Sequence, residues 1–215
     1  MNLNKLLDEI NELSNGRKVE LVAVSKYVGS KEIKELFDEG QMNFGENRVQ
    51  DLVKKSDELK ELNLNWHFIG TLQTNKINTL LKIRPTLWQS CNSLKLAQAV
   101  DKRLDYKLDT LLEINIADED SKTGLDISLA KESYCAIKES CKNLNLKGIM
   151  CIGAHSDDEL EVAKSFEKAY VIYESLQSKG AEICSMGMSS DYKIAIKCGS
   201  NMIRIGSLLF KQIWK

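Results

Sequence analysis

The chain has 215 residues, 43% of them hydrophobic and 28% charged, enough for one large domain or two small ones with a well-filled core. Thirty basic and 31 acidic residues are interleaved to a formal net charge of −1, which argues against a dedicated nucleic-acid or membrane face, since either needs a basic surface. No apolar run reaches the length of a membrane span, so no membrane association is expected.

The chain opens with an amphipathic helix over Met1–Ser14, with Leu3, Leu6, Leu7, Ile10 and Leu13 on one face and Asp8, Glu9 and Glu12 breaking any resemblance to a signal peptide. Val19–Lys26 follows as a buried strand, rich in valine and too short to stand as a helix. Ser30–Glu39 is predicted helical and stops at Gly40. Met42–Gly45 makes a second strand, Glu46–Lys60 a helix, Trp66–Gly70 a third strand and Gln73–Lys82 a short helix. Thr86–Ser90 and Leu108–Ile116 are the fourth and fifth strands, separated by a helix over Ser93–Leu104. A polar loop, Ala117–Gly124, leads to the helix Asp126–Cys141. Leu146–Gly153, Glu182–Met188 and Met202–Gly206 complete eight strands. Helices are expected over Asp157–Ser178, Asp191–Cys198 and Ser207–Trp214.

Strand–helix alternation of this kind implies parallel strands joined by right-handed crossovers. Eight units close naturally into a barrel, whereas an open doubly wound sheet usually stops earlier. No Gly/Pro/Ser linker or shift of composition marks a boundary, and the chain has a single proline, Pro85. The expectation is one (β/α)8 TIM barrel of class α/β, a single domain over residues 1–215 with an extra N-terminal helix. Six cysteines without a C-x-x-C pair, several of them within apolar strands, fit a reducing cytoplasm better than a disulfide framework. The two histidines, His67 and His155, are far apart in sequence, which argues against a zinc site. The acidic run Asp157–Glu159 reads most simply as the first turn of a helix.

In such a barrel the active site lies at the carboxyl ends of the strands. That rim carries Lys26, Asn47, Gly70, Ser90, Asn115, His155, Ser189, Arg204, Gly206 and Ser207. A lysine where a buried strand becomes a loop is either solvated or partly desolvated, and in the second case its amine becomes nucleophilic. Ser207 directly after Gly206 is a turn or the opening of a phosphate-binding helix end, in the place this fold commonly uses for phosphate. Arg204 either closes an ion pair or faces a ligand. Lysine, phosphate cup and arginine on one rim point to a phosphorylated aldehyde held as a Schiff base. No Walker or G-x-G-x-x-G motif supports nucleotide binding.

Several blocks carry a closer resemblance: Ala23-Val24-Ser25-Lys26, Phe44-Gly45-Glu46-Asn47-Arg48, His67 to Lys76, Ser185-Met186-Gly187-Met188-Ser189, Asp191, Gly199-Ser200 and Ile203-Arg204-Ile205-Gly206. In this order they resemble the YggS/PROSC family of pyridoxal 5′-phosphate (PLP)-binding proteins, which have the fold of the alanine racemase N-terminal domain, PLP fold type III. The match runs from near the N-terminus to about Phe210, and departs at Asn201, where threonine is more usual, and at Lys211, where glycine is. Asn201 thereby raises the loss of one polar contact near the phosphate. The resemblance implies that Lys26 carries PLP as an internal aldimine, that Ser189 and the Gly206 and Ser207 amides hold the phosphate, that Arg204 faces the pyridine nitrogen, and that Asn47 lies beside the ring. It implies a cytoplasmic carrier or buffer in vitamin B6 homeostasis rather than a catalyst, monomeric, with PLP-dependent apo-enzymes as recipients.

The alternative is an amino-acid racemase, which needs an acid–base group on each face of the cofactor. Lys26 serves one face. Tyr27 points away from it if the strand continues, leaving Tyr192 and His155 as rim candidates for the other. A Schiff-base aldolase without PLP is a third reading, weakened by the phosphate cup. Finally, Lys122, among Asp118, Glu119 and Asp120 in the loop after the fifth strand, is either a solvated lysine or a second amine that carries PLP outward by imine exchange.

Overall fold

A computed structural model describes residues 2–116 and 124–210. Among these residues nine strands form one parallel sheet: β1 (Glu20–Val24), β2 (Asn43–Glu46), β3 (Asn65–Phe68), β4 (Leu87–Cys91), β5 (Leu108–Asn115), β6 (Leu125–Asp126), β7 (Leu144–Cys151), β8 (Ile183–Ser185) and β9 (Met202–Ile205). Eight of them close a barrel in the order β1–β2–β3–β4–β5–β7–β8–β9, and β9 returns to β1 with Val22 opposite Arg204 and Ala23 opposite Ile205. The ninth, β6, is a two-residue addition paired to β5. The expected TIM barrel is therefore the observed fold.

The helices form the outer layer: α1 (Leu3–Leu13), α2 (Ser30–Asp38), α3 (Val49–Glu58), α4 (Ile77–Leu81), α5 (Leu94–Asp101), α6 (Ala130–Ser140), α7 (Glu159–Gln177) and α8 (Tyr192–Lys197). Their starts follow from short polar side chains that take up otherwise unpaired amides. Asn2 accepts from the Lys5 amide, Ser93 from Leu96 and Asp158 from Leu160. No helix among the described residues is long and apolar enough to cross a membrane. The extra helix α1 buries Leu3, Leu6 and Ile10, and Glu9 on it accepts a hydrogen bond from the Tyr192 hydroxyl (3.0 Å) and pairs with Lys193 on α8.

Period-two alternation sorts each strand into an outer and an inner set. Outward residues such as Trp66, Phe68, Trp88, Ile203 and Ile205 pack against the helices in the main core. Inside the barrel Val22, Leu87, Leu111, Met150 and Met202 form a small separate apolar cluster. Two residues further along their strands, toward the carboxyl rim, the interior turns polar at Gln89, Glu113 and Arg204, and His67 and Ser185 join them, all buried. The site stands on that layer.

Several expected boundaries are corrected. The first strand ends at Val24, not Lys26, because the chain turns there: Val28 N–H donates to Ser25 O. The seventh predicted strand ends at Ser185 rather than Met188, since Gly187 takes φ +99° and leads the chain out of the sheet. Glu46 belongs to a strand, and the helix after it starts at Val49. Of the predicted tail helix Ser207–Trp214, the described part is one turn, with Leu209 and Phe210 amides donating to Gly206 O; the rest lies outside the described residues.

Candidate functional site

The rim carries a cavity of about 520 Å³ that draws together Lys26, Ser189, Arg204, Gly206 and Ser207, five of the six expected site residues, with Tyr27 among its other walls. They come from both sides of the β1–β9 seam and from the loop after β8. Apolar Val24, Ile69 and Met188 lie between them. Lys26 sits in the turn after β1, exposed, with Nζ 4.9 Å from the centre of the Tyr27 ring. Tyr27 thus shares the turn and the cavity with Lys26 instead of pointing away from it.

Arg204 rises from β9 into the barrel and is 4% exposed. Nη1 donates to Ser185 Oγ at 2.7 Å and Nη2 to the Cys151 carbonyl at 2.8 Å, so its hydrogen-bond partners among the described residues are a hydroxyl and a carbonyl. Burial lowers its pKa, while Asp191 and Glu113 act in the opposite direction. The Ser185 hydroxyl donates in turn to Gln89 Oε1 at 2.7 Å, and Gln89 Nε2 lies 3.0 Å from His67 Nδ1. With Gln89 as donor, Nδ1 is the accepting nitrogen of a neutral ring, in keeping with burial that lowers the His67 pKa to about 4. Arg204 is therefore the head of a polar chain through the barrel interior: Arg204, Ser185, Gln89, His67. Sequence reasoning missed this chain; the signal was a polar residue at each inward position where the alternation called for an apolar one.

Ser189 and Gly206 meet at one end of the cavity, where Gly206 N–H donates to Ser189 Oγ at 3.3 Å. Gly187, which makes the exit from β8 possible, accepts the Arg204 amide at 3.0 Å and so ties the two strand ends together. Asn47 is not brought into this cavity: it lines a neighbouring one of about 470 Å³ with Arg48, Thr71 and Lys76. Its backbone packs on Gly70, where an added Cβ would lie 2.0 Å from the Asn47 carbonyl oxygen.

A second buried cluster lies under the Lys26 turn. Glu46, fully buried at the end of β2, accepts from Ser25 Oγ and from Lys55 Nζ, both at 2.6 Å, and Lys55 also donates to the Ser25 carbonyl at 2.7 Å. Burial raises the Glu46 pKa, more than the hydrogen bonds from Lys55 and Ser25 lower it.

Other expected rim residues fall elsewhere. Tyr192 is buried outside the barrel against Glu9, with its pKa raised to about 12, chiefly by burial. His155 lines a separate cavity of about 520 Å³ that shares Met188 and Ser190 with the first. Asn201 stands at the opposite, amino end of β9, where its side chain accepts the Cys184 amide and donates to the Glu182 carbonyl; its place is structural, at the other end of the strand from Gly206. The cysteines are free, and burial raises the Cys91 and Cys151 thiols to about 12, away from reactivity. Lys122 and its acidic neighbours lie outside the described residues.

The donor set fits a flat, phosphorylated, ring-nitrogen aldehyde. A primary amine, a buried guanidinium and a hydroxyl-glycine cup surround an apolar slot of suitable volume.

Comparison with known proteins points the same way. The family model for the alanine racemase N-terminal domain matches residues 1–212. A protein of Helicobacter pylori (strain ATCC 700392 / 26695) named pyridoxal phosphate homeostasis protein is 49% identical over 197 residues, covering 90% of this chain and 88% of its own. A protein of the same name from Escherichia coli K12 is 36% identical, covering 97% and 94%. Among solved structures, PipY of Synechococcus elongatus without PLP superposes with a TM-score of 0.87 at 30% identity, covering 97% of both chains. The same protein with PLP bound gives 0.83 at 29% identity, covering 94% of this chain and 98% of PipY. Alanine racemase of Clostridium difficile 630 shares the fold at 18% identity and a TM-score of 0.71, the present chain covering 57% of it.

Proposed function

This chain belongs to the family of pyridoxal phosphate homeostasis proteins, built on the alanine racemase N-terminal domain, and from that premise we propose that it binds PLP as a Schiff base on Lys26 and serves intracellular vitamin B6 homeostasis as a carrier or buffer. The observation that carries this reading is the single cavity that Lys26, Arg204, Ser189, Gly206 and Ser207 share. PLP bound there supplies an aldehyde that condenses with primary amines and a ring that withdraws electrons.

Lys26 provides the amine, and Ser189 with the Gly206 and Ser207 backbone takes the phosphate. Arg204 faces the ring nitrogen. A guanidinium there keeps that nitrogen unprotonated, because two positive charges would otherwise adjoin. An unprotonated ring is a weak electron sink, which favours holding the cofactor over carbanion chemistry. Racemisation would need an acid–base group on the face opposite Lys26. Tyr192 is engaged with Glu9, His155 lines a separate cavity, and Tyr27, though it lines the cavity, rises from the same turn as Lys26, so a carrier role is favoured. A monomeric single domain over residues 1–215, a cytoplasmic location and PLP-dependent apo-enzymes as recipients complete the proposal, and Asn47, which lines the other cavity, is left out of it.

The test is spectroscopic. Purified protein is expected to be yellow, to lose its visible band on borohydride reduction, and to carry the reduced adduct on Lys26. Lys26→Ala is expected to abolish both band and adduct; an adduct that persists on another lysine overturns the assignment.

A further inference from the structure

We propose that the buried Glu46–Lys55 pair is a positioning device for Lys26, acting through the peptide of Ser25. The proposal rests on the assignment of Lys26 as the cofactor lysine.

Every polar group of Ser25 is held. Its N–H donates to Gly45 O (3.0 Å) and its hydroxyl to Glu46 Oε1 (2.6 Å). Its carbonyl accepts twice, from Lys55 Nζ at 2.7 Å and from Val28 N–H at 3.0 Å. The Val28 bond closes the turn in which Lys26 sits, and the Lys55 bond grips the same oxygen from below. The peptide plane between Ser25 and Lys26 is thereby fixed, and with it the direction in which the Lys26 side chain leaves the backbone. Lys26 is otherwise exposed, so nothing around its own side chain supplies that constraint as completely.

Stability alone does not account for the pair. Lys55 lies three residues after buried Leu52 and six after buried Val49, a position on α3 where a leucine would continue the apolar stripe. Apolar residues in place of a buried ion pair are often neutral or stabilising. Glu46 Oε2 is buried and meets no hydrogen-bond partner among the described residues, a further cost that an apolar pair would not carry. What an apolar pair cannot do is hold the Ser25 carbonyl. The geometry gives the ion pair a task at the site: it keeps the amine aimed at the cavity before any aldehyde arrives.

The experiment mixes apo-protein with PLP and follows the growth of the visible Schiff-base band. Glu46→Gln retains an acceptor for Lys55 and Ser25 and leaves the Lys55–Ser25 bond in place, so it removes the charge without the grip; it is expected to react more slowly than wild type but severalfold faster than the double variant with Lys55→Met. Glu46→Gln combined with Lys55→Met removes both charges and the grip on the carbonyl. It is expected to react about tenfold more slowly, to the same final spectrum, with a melting temperature within a few degrees of wild type. A double variant that reacts at the wild-type rate overturns the proposal and leaves the pair as packing. A measurement on wild type guards against failure of the double variant to fold: in the apo-protein the Val28 amide is expected to exchange with solvent as slowly as the β1 amides, and rapid exchange overturns the proposal equally. Lys26→Ala separates the two readings, because an adduct that survives in it rejects the Lys26 assignment rather than the clamp.

Discussion

Nη1 of Arg204 and Oγ of Ser185 lie 2.7 Å apart, and the hydroxyl that accepts from the guanidinium spends its own proton on Gln89. Ser185 therefore holds two buried partners at once, and neither has a solvent substitute. Ser185→Ala leaves a guanidinium donor and an amide acceptor without this partner. The expected loss is about 1–3 kcal/mol of folding stability, read from urea denaturation midpoints at pH 7.

On the proposed placement of Arg204 at the ring nitrogen, charge at that position sets the cofactor electronics. Arg204→Glu is expected to protonate the ring nitrogen of bound PLP and move the absorbance maximum, while borohydride still fixes the adduct on Lys26. An unmoved spectrum would place Arg204 away from the ring.

His67 gives the protein a pH dependence with a definite sign. Its pKa falls from the ordinary 6.5 to about 4 on burial, so between these values the unfolded chain binds a proton that the folded one does not. The folded state is thus disfavoured progressively as the pH drops through 6.5, and the loss is complete below 4. From pH 7 to pH 5 this single group contributes about 2 kcal/mol of lost stability. His67→Asn, whose amide oxygen can still accept from Gln89, is expected to lose about that much less over the same interval. Parallel denaturation curves for the two proteins at both pH values check it.

Gly70 is the point where two loops of the rim touch. A methyl group there meets backbone, 2.0 Å from the Asn47 carbonyl oxygen, and backbone cannot rotate aside as a side chain does. Gly70→Ala is expected to cost about 3 kcal/mol, in the upper range for overpacking. It is also expected to weaken PLP binding, because Ile69 beside it lines the cofactor cavity. Calorimetric melting and a PLP titration measure the two effects.

The barrel was legible because each crossover repeats the same switch from period two to period 3.6, and eight repeats leave few topologies. The residues that face the cavity were legible as strand ends, Lys26, Arg204 and Gly206 above all. Strand ends themselves were less so: Gly187 and the turn at Ser25 stop their strands by backbone geometry, while the apolar pattern of Met186 and Met188 runs on. The polar layer beneath the site was invisible for another reason. Gln89 meets Ser185 across 96 positions of sequence and His67 across 22, and such partners are set by barrel closure, not by local spacing. Lys55 was hidden by its charge, since a lysine on a helix reads as solvent-facing until Glu46 is seen opposite it.

The seam between β1 and β9 joins the first of the described strands to the last, Glu20 opposite Met202 and Ala23 opposite Ile205. On a ribosome, Lys26 emerges roughly 180 residues before Arg204 and Gly206 do, and until then the amine has no phosphate cup and no guanidinium. On the proposed site, cofactor capture thus waits until β9 has been made and has closed on β1. A PLP molecule bridging both sides of the seam would then act as a clasp on the join formed last, the one whose loop is costliest to close. Scarcity of PLP is therefore expected to leave that join unlatched for longer, and the newly made barrel to be cleaved faster by added protease without PLP than with it.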